Sequence, residues 1–241
     1  MPHFFIQSDN IKDSIIEVSD KELLKHLVLS LRVRIGEKLK FIDENEIQYE
    51  TLVKSVSNIL LEARVLDFYP SKRKLPYPLH LIQCVLKQDA QSLLISNAVQ
   101  CGVDVIYPVI SDNCAVSYKN VCSKVQRWQK IADETSKQCE RANFARVNEV
   151  LDIKEMLEQI NGQNVIVFAE KYAEFDMDEA VKIIDKTCPI YVLTGPEGGF
   201  SDEEFKYFKE KKYKLVSLGD LIFKAPNAVT AGISNIVTRL K

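Results

Sequence analysis

The chain has 241 residues, 46% of them apolar and 27% charged, which excludes a disordered chain and leaves room for one α/β unit or a small domain plus a medium one. Its 32 Lys and Arg face 34 Asp and Glu, a formal charge of -2, so it is not built to wrap duplex nucleic acid non-specifically. Gripping one exposed nucleotide needs only a local basic surface. No stretch of about 20 residues is free of charge, as a membrane span requires, and Met1 to Gln7 lack a basic region followed by an apolar run. A cytoplasmic protein with no membrane partner is expected. The six cysteines contain no C-x-x-C pair and there are only three histidines, so no metal is expected and the thiols are read as reduced and mostly buried.

From Pro2 to Tyr69 the pattern is strand-like, with apolar β-formers at Phe4 to Ile6, Ile15 to Val18, Leu39 to Ile42, Tyr49 to Val56 and Ile59 to Phe68. This predicts a small β-barrel. One helix interrupts it, opened by Ser19 and Glu22 at capping-box spacing and running through Leu23, Leu24, Leu27 and Leu31. The stretch Pro70 to Pro78 combines three prolines with Lys72, Arg73 and Lys74, a composition that resists helix and central strand alike. The boundary falls there, giving domains 1–72 and 73–241.

After the boundary, strands and helices alternate, which predicts a parallel sheet covered on both faces. The expected elements are a strand Leu79 to Leu86, a helix Asp89 to Cys101 ended by Gly102, a strand Asp104 to Ile110 and a long helix from about Lys119 to Arg141. They continue with a helix Asp152 to Ile160, a strand Asn164 to Ala169, a helix Asp176 to Lys186 and a strand Ile190 to Thr194. A helix opened by a second capping box, Ser201 with Glu204, a strand Leu215 to Leu218 and a last helix from about Asn227 to Leu240 complete the chain.

Three of the eight glycines lie in Gly195-Pro196-Glu197-Gly198-Gly199, between an apolar strand and a capped helix. The loop after a parallel strand is where open α/β sheets bind small molecules; the plainer alternative is a tight turn. The loop is neither a P-loop nor a G-x-G-x-x-G dinucleotide site, so nothing points to ATP or NAD. Ser217-Leu218-Gly219-Asp220 and the end of Asn164 to Glu170 supply two more strand-end loops. Three backbone-rich loops suit an uncharged or cationic nucleoside ligand. Glu134, Gln138 and Arg141 are spaced to share one face of the long helix, beside Trp128, Ile131 and Cys139; a polar triplet of this kind is often just a solvated face.

These residues resemble the RsmE 16S rRNA (uracil-N3)-methyltransferases over essentially the whole chain. Leu193-Thr194-Gly195-Pro196-Glu197-Gly198-Gly199-Phe200-Ser201 is the most specific match. His26 with Leu31-Arg32, Gly102-Val103 with Pro108, Trp128 to Ala132, Gln138 with Arg141, and Leu218-Gly219 follow the same order. The resemblance implies an α/β fold: an N-terminal PUA-like β-barrel that helps hold RNA, then a SPOUT domain, a Rossmann-like parallel sheet with a C-terminal trefoil knot. It also implies a homodimer, S-adenosylmethionine as cofactor, and 16S rRNA in the small ribosomal subunit as substrate.

Carried over by position, the resemblance places the cofactor against Phe168, Ala169 and Glu170, against Leu193 to Gly199, and against Ser217, Leu218, Gly219, Ile222 and Phe223. Methylation at N3 needs a group to take the proton and positive charge near the base, for which the residues read as catalytic are Arg141, Glu197, Gln138 and Lys224; the residues read as RNA contacts are His26, Arg32 and the basic run Lys72, Arg73 and Lys74. The chain departs from the family pattern at Asn97, Gln100 and Lys137, and at Asp220 to Asn227, which lacks the family's two arginines and glutamate and keeps only Lys224 as a cation. Two other readings stand beside this one: methylation of another RNA position, and a non-catalytic RNA-binding or assembly factor.

Overall fold

The structure is a computed structural model that describes residues 3–160 and 164–240. The chain divides into two compact units, one of Met1–Lys74 with Ser136–Phe144, the other of Leu75–Thr135 with Ala145–Lys241.

The first unit is a six-stranded sheet with the order β1-β4-β5-β6-β3-β2. Its strands are β1 His3–Phe5, β2 Ile11–Lys12, β3 Ile15–Val18, β4 Lys38–Ile42, β5 Ile47–Val56 and β6 Leu61–Pro70. All pairings are antiparallel except β1 with β4. Alternation along β5 and β6 turns Val53, Leu61 and Ala63 into one core with Phe4, Ile16, Leu27 and Phe41.

The helix of this unit differs from its sequence reading. Asp20, not Ser19, is the N-cap: its carboxylate accepts from Leu23 N at 2.8 Å, and α1 spans Lys21–Lys25. An ionised acceptor at the positive end of the helix outcompetes a hydroxyl one residue further out. From His26 to Ser30 the chain continues as a π-helix, with Leu31 N donating to His26 O, and Arg32 then takes φ +54 to end the run.

The second unit is a sheet whose strand pairs are all parallel, ordered β10-β8-β7-β12-β11-β13 with β9 also on β8. Its strands are β7 Leu79–Cys84, β8 Val105–Ile110, β9 Arg146–Val147, β10 Leu151–Asp152, β11 Asn164–Phe168, β12 Ile190–Thr194 and β13 Lys214–Val216. The helices are α2 Gln88–Gln100, α3 Tyr118–Val121, α4 Val125–Gln138, α5 Ile153–Gln159, α6 Met177–Lys182, α7 Asp202–Glu210 and α8 Ala225–Arg239. The Ser201–Glu204 box opens α7 as expected. Strands buried on both faces explain the unbroken apolar run of β12.

The long helix expected to reach Arg141 is in pieces: α3, a 3-10 turn Cys122–Lys124, then α4. Arg141 therefore does not share a helical face with Glu134 and Gln138. A Schellman arrangement ends α4, with Glu140 at φ +56, its N donating to Lys137 O, and Arg141 N donating to Ser136 O at 3.1 Å. The position that glycine usually takes is held by Glu140, so the sequence carries no stop signal there. The thiols are also not mostly buried: Cys84 is, while Cys101, Cys114, Cys122, Cys139 and Cys188 are part-exposed at element ends and turns.

Gly232 sits inside α8, where glycine costs about 1 kcal/mol relative to alanine. A Cβ there would run into the Phe168 ring, so its bare backbone is what lets α8 close over the end of β11. Gly232→Ala is expected to destabilise the protein by about 1–3 kcal/mol in urea denaturation. Adding Phe168→Leu should recover much of that loss; equal destabilisation in the single and double variants would refute the contact.

Candidate active site

β11 lies between β12 and β13, and the register places Phe168 beside both Thr194 and Val216. The three strands therefore end at one level, and the loops that leave them are neighbours. This brings together the stretches 168–170, 193–199 and 217–223, whose extremes are 55 positions apart in the sequence. Ala169 N donates to Val216 O at 3.0 Å, tying the first loop to the third.

The glycine loop is a turn closed by Gly199 N donating to Pro196 O at 3.0 Å, with Gly199 at φ +69, a conformation that suits glycine. Its outside is held by the loop that follows β8. Asn113 Nδ2 donates to Gly199 O at 3.2 Å, Ser201 Oγ donates to Asp112 Oδ2 at 2.6 Å, and Gly198 has the Asn113 backbone so close that a Cβ would meet its carbonyl oxygen at 3.1 Å. Beneath them lies the Glu204 carboxylate, 2% exposed, which accepts from Ser201 N at 2.8 Å and Asp112 N at 3.1 Å. Burial pushes its carboxyl upward, against the pull of those two N–H donors. On the other side, Glu197 accepts from Lys87 N at 3.2 Å, joining the loop to the start of α2.

The side chains of Phe168 and Leu193 are core rather than site, the first against Gly232 and the second at 0% exposure, so any ligand contact there is through backbone. Thr194 is buried and its Oγ1 has no hydrogen-bond partner among the described residues. In the third loop Ser217 Oγ and Gly219 N are 3.1 Å apart in a tight turn. Leu221 and Ile222 then stand 82% and 76% exposed, with Phe223 partly so. Lys224 is the exposed N-cap of α8.

The four residues read as catalytic do not belong to one unit: Glu197 and Lys224 fall in the second, Gln138 and Arg141 in the first. Arg141 is buried, and its Nη2 donates to Asn143 at 3.2 Å. Of the residues read as RNA contacts, His26, Arg32 and Lys72 are exposed, Arg73 pairs with Glu140 at 2.9 Å and Lys74 pairs with Glu46. Sequence reasoning missed Asp112, Asn113 and Lys87. They follow the C-terminal ends of β8 and β7, so the rule that selected the other three loops applied to them too.

Cys114 closes this network. A hydrogen bond from the Cys84 thiol, helped by Ser111, holds its thiol down at about 6 against the opposing effect of burial. Burial has the opposite effect on Cys84, whose thiol it raises. Brief alkylation with iodoacetamide followed by peptide mass spectrometry is expected to label Cys114 first, at a rate that falls as the pH drops through about 6.

Residues 73–237 match the family described as an RNA methyltransferase domain. The chain is 24% identical over 238 residues to the ribosomal RNA small subunit methyltransferase E of Rickettsia conorii, covering 96% of this chain and 93% of that one. It is 23% identical over 222 residues to the enzyme of that name from Bacillus subtilis, covering 89% and 87%. The crystal structure of a ribosomal RNA small subunit methyltransferase E from Neisseria gonorrhoeae bound to S-adenosyl methionine superposes with a TM-score of 0.83 at 23% identity, over 99% of this chain and 97% of that chain.

Proposed function

The chain belongs to the RNA methyltransferase domain family, and from that membership we infer that it is a methyltransferase of the RsmE type, using S-adenosylmethionine to methylate N3 of a uridine in 16S rRNA of the small ribosomal subunit. The observation that carries this reading is the alignment of the β11, β12 and β13 ends, with the glycine turn held by Asn113 and Asp112 and with open space over Gly199.

The residues fit the cofactor. Thr194 offers a buried hydroxyl that lacks a partner among the described residues, the loops at Gly195 to Gly199 and Ser217 to Gly219 offer backbone amides, and Leu221, Ile222 and Phe223 offer apolar surface for an adenine ring. Bound there, S-adenosylmethionine supplies an electrophilic methyl group. Uracil N3 carries a proton that must leave as the nitrogen attacks. Glu197, steadied by Lys87 N–H, accepts or relays that proton. Arg141 stabilises negative charge on the uracil oxygens, Gln138 orients the base and Lys224 adds positive charge at the third loop. His26, Arg32 and Lys72 to Lys74 hold phosphates. The base must be unstacked to be reached, which favours a non-helical nucleotide.

The exposed Leu221-Ile222 pair is covered in a homodimer with the cofactor pocket at the subunit interface. No helix among the described residues is long and apolar enough to cross a membrane, and a cytoplasmic setting matches the proposed substrate.

Calorimetric titration with S-adenosylmethionine is expected to show saturable binding, weakened at least about tenfold (~1.4 kcal/mol) in Gly195→Ala, whose Cβ would meet the Phe200 ring at 3.2 Å. No binding to the folded wild type would favour a non-catalytic RNA-binding role. Arg141→Ala is expected to lower kcat about 100-fold with cofactor affinity unchanged. Mass spectrometry of digested small-subunit RNA should place the new methyl on uracil N3; a ribose methyl would assign another position.

A further inference from the structure

The first unit, which carries none of the three strand-end loops, contains a cavity of about 580 Å³, a size that accommodates a nucleotide. Buried His3, Gln48 and Ser71 line it together with the more exposed Lys40, Lys72 and Arg73. Glu140 is the one carboxylate among the lining residues, so three cations face a single acid.

His3 is 3% exposed, and its Nε2 has no hydrogen-bond partner among the described residues. The other side of the ring is held by the Arg141 backbone, and burial lowers the ring's pKa, keeping it neutral at physiological pH. A neutral ring that donates its Nδ1 proton to a carbonyl presents Nε2 as an acceptor. Leaving such an acceptor buried and unmet costs about 1–3 kcal/mol, a cost that a ligand N–H or O–H removes.

Tyr69, which also lines the cavity, is fixed by a chain of polar contacts. Gln48 Nε2 donates to its hydroxyl at 2.9 Å, that hydroxyl donates to Glu50 at 3.1 Å, and Lys40 pairs with Glu50 at 3.3 Å. A held aromatic ring and a lone acceptor that line one cavity are the equipment for an unstacked base. Arg73 is aimed by Glu140 at 2.9 Å, and Lys72 has no ion pair among the described residues, so its charge is available to an anion.

We propose that this cavity binds one unpaired nucleotide of the RNA substrate, with the base against Tyr69, an N–H of the base on His3 Nε2, and its phosphate on Lys72 and Arg73. The assignment rests on the RNA methyltransferase reading and adds a recognition subsite in the other unit. Its contribution is to binding the RNA, not to methyl transfer.

The test has two arms. In the first, the full-length protein, labelled with ¹⁵N, is titrated with AMP, CMP, GMP and UMP, and separately with ribose 5-phosphate and inorganic phosphate. At least one nucleotide is expected to shift the amide resonances of Tyr69, Ser71 and Arg73 well beyond the effect of the two phosphates. Equal shifts from phosphate alone would mean an anion site without base recognition and would overturn the proposal.

In the second, methylation of small subunits is compared for the wild type, His3→Leu and Tyr69→Leu, the latter keeping the proposal testable if His3→Leu misfolds. Each is expected to raise KM for the subunit at least about tenfold, with kcat and S-adenosylmethionine affinity unchanged. An unaltered KM in folded variants that still bind cofactor and methylate would overturn the cavity assignment and leave the function standing. A wild type that binds no cofactor would instead fail the function, with the nucleotide titration still readable.

Discussion

Parallel pairing of β11 with β12 on one side and β13 on the other is the constraint on which the rest of the second unit depends. In a parallel sheet every strand points the same way, so three loops must leave from the same edge. The register then decides whether they leave at the same height. Because Phe168 stands level with Thr194 and Val216, the backbone groups of three distant segments converge, and no long charged side chain is needed to reach between them. The apolar sheet beneath, with Leu193, Val167 and Leu215 at 0% exposure, is rigid enough to hold that edge.

A second layer supports the glycine turn. Glycines that clear a path for a ligand also remove the side chains that would stiffen the loop, and the stiffness returns from outside through Asn113, Asp112 and the buried Glu204. Glu204 serves two roles: it completes the cap of α7 and reaches across to the loop after β8. A capping residue recognised from spacing alone thus turns out to join two loops of the site.

Much of this was legible in the residues. The alternation of strand and helix and the second capping box depend on local physics: periodicity and the reach of a side chain to the nearest amide. Local signals also failed in identifiable ways. Ser19 and Glu22 have the spacing of a capping box, whereas Asp20 supplies the stronger acceptor. Periodicity carries the helix on to Arg141, but Glu140 ends it by adopting the left-handed conformation without being glycine. The partnership of Asp112 and Asn113 with the glycine turn spans about 90 residues, and no pattern in one sequence reports such a contact. The grouping of Ser136–Phe144 with the first unit is likewise a tertiary fact, and it is what brings Glu140 to Arg73.

The order of strands in the second sheet also bears on when the protein can form. β7, β8 and β10 are consecutive neighbours, so they can zip together while the remainder of the chain is still being synthesised. β11 emerges next but cannot join them, because its place beside the growing sheet is taken by β12, which comes later. Until β12 slots in between β7 and β11, the apolar strand Asn164–Phe168 has no partner in the sheet. Long-range parallel pairing of this kind is slow, and an exposed apolar strand edge in the meantime invites association with other chains. The geometry that gathers the three loops therefore makes the nascent chain depend on being finished before its site exists, with chaperone protection most valuable in the interval between β11 and β12.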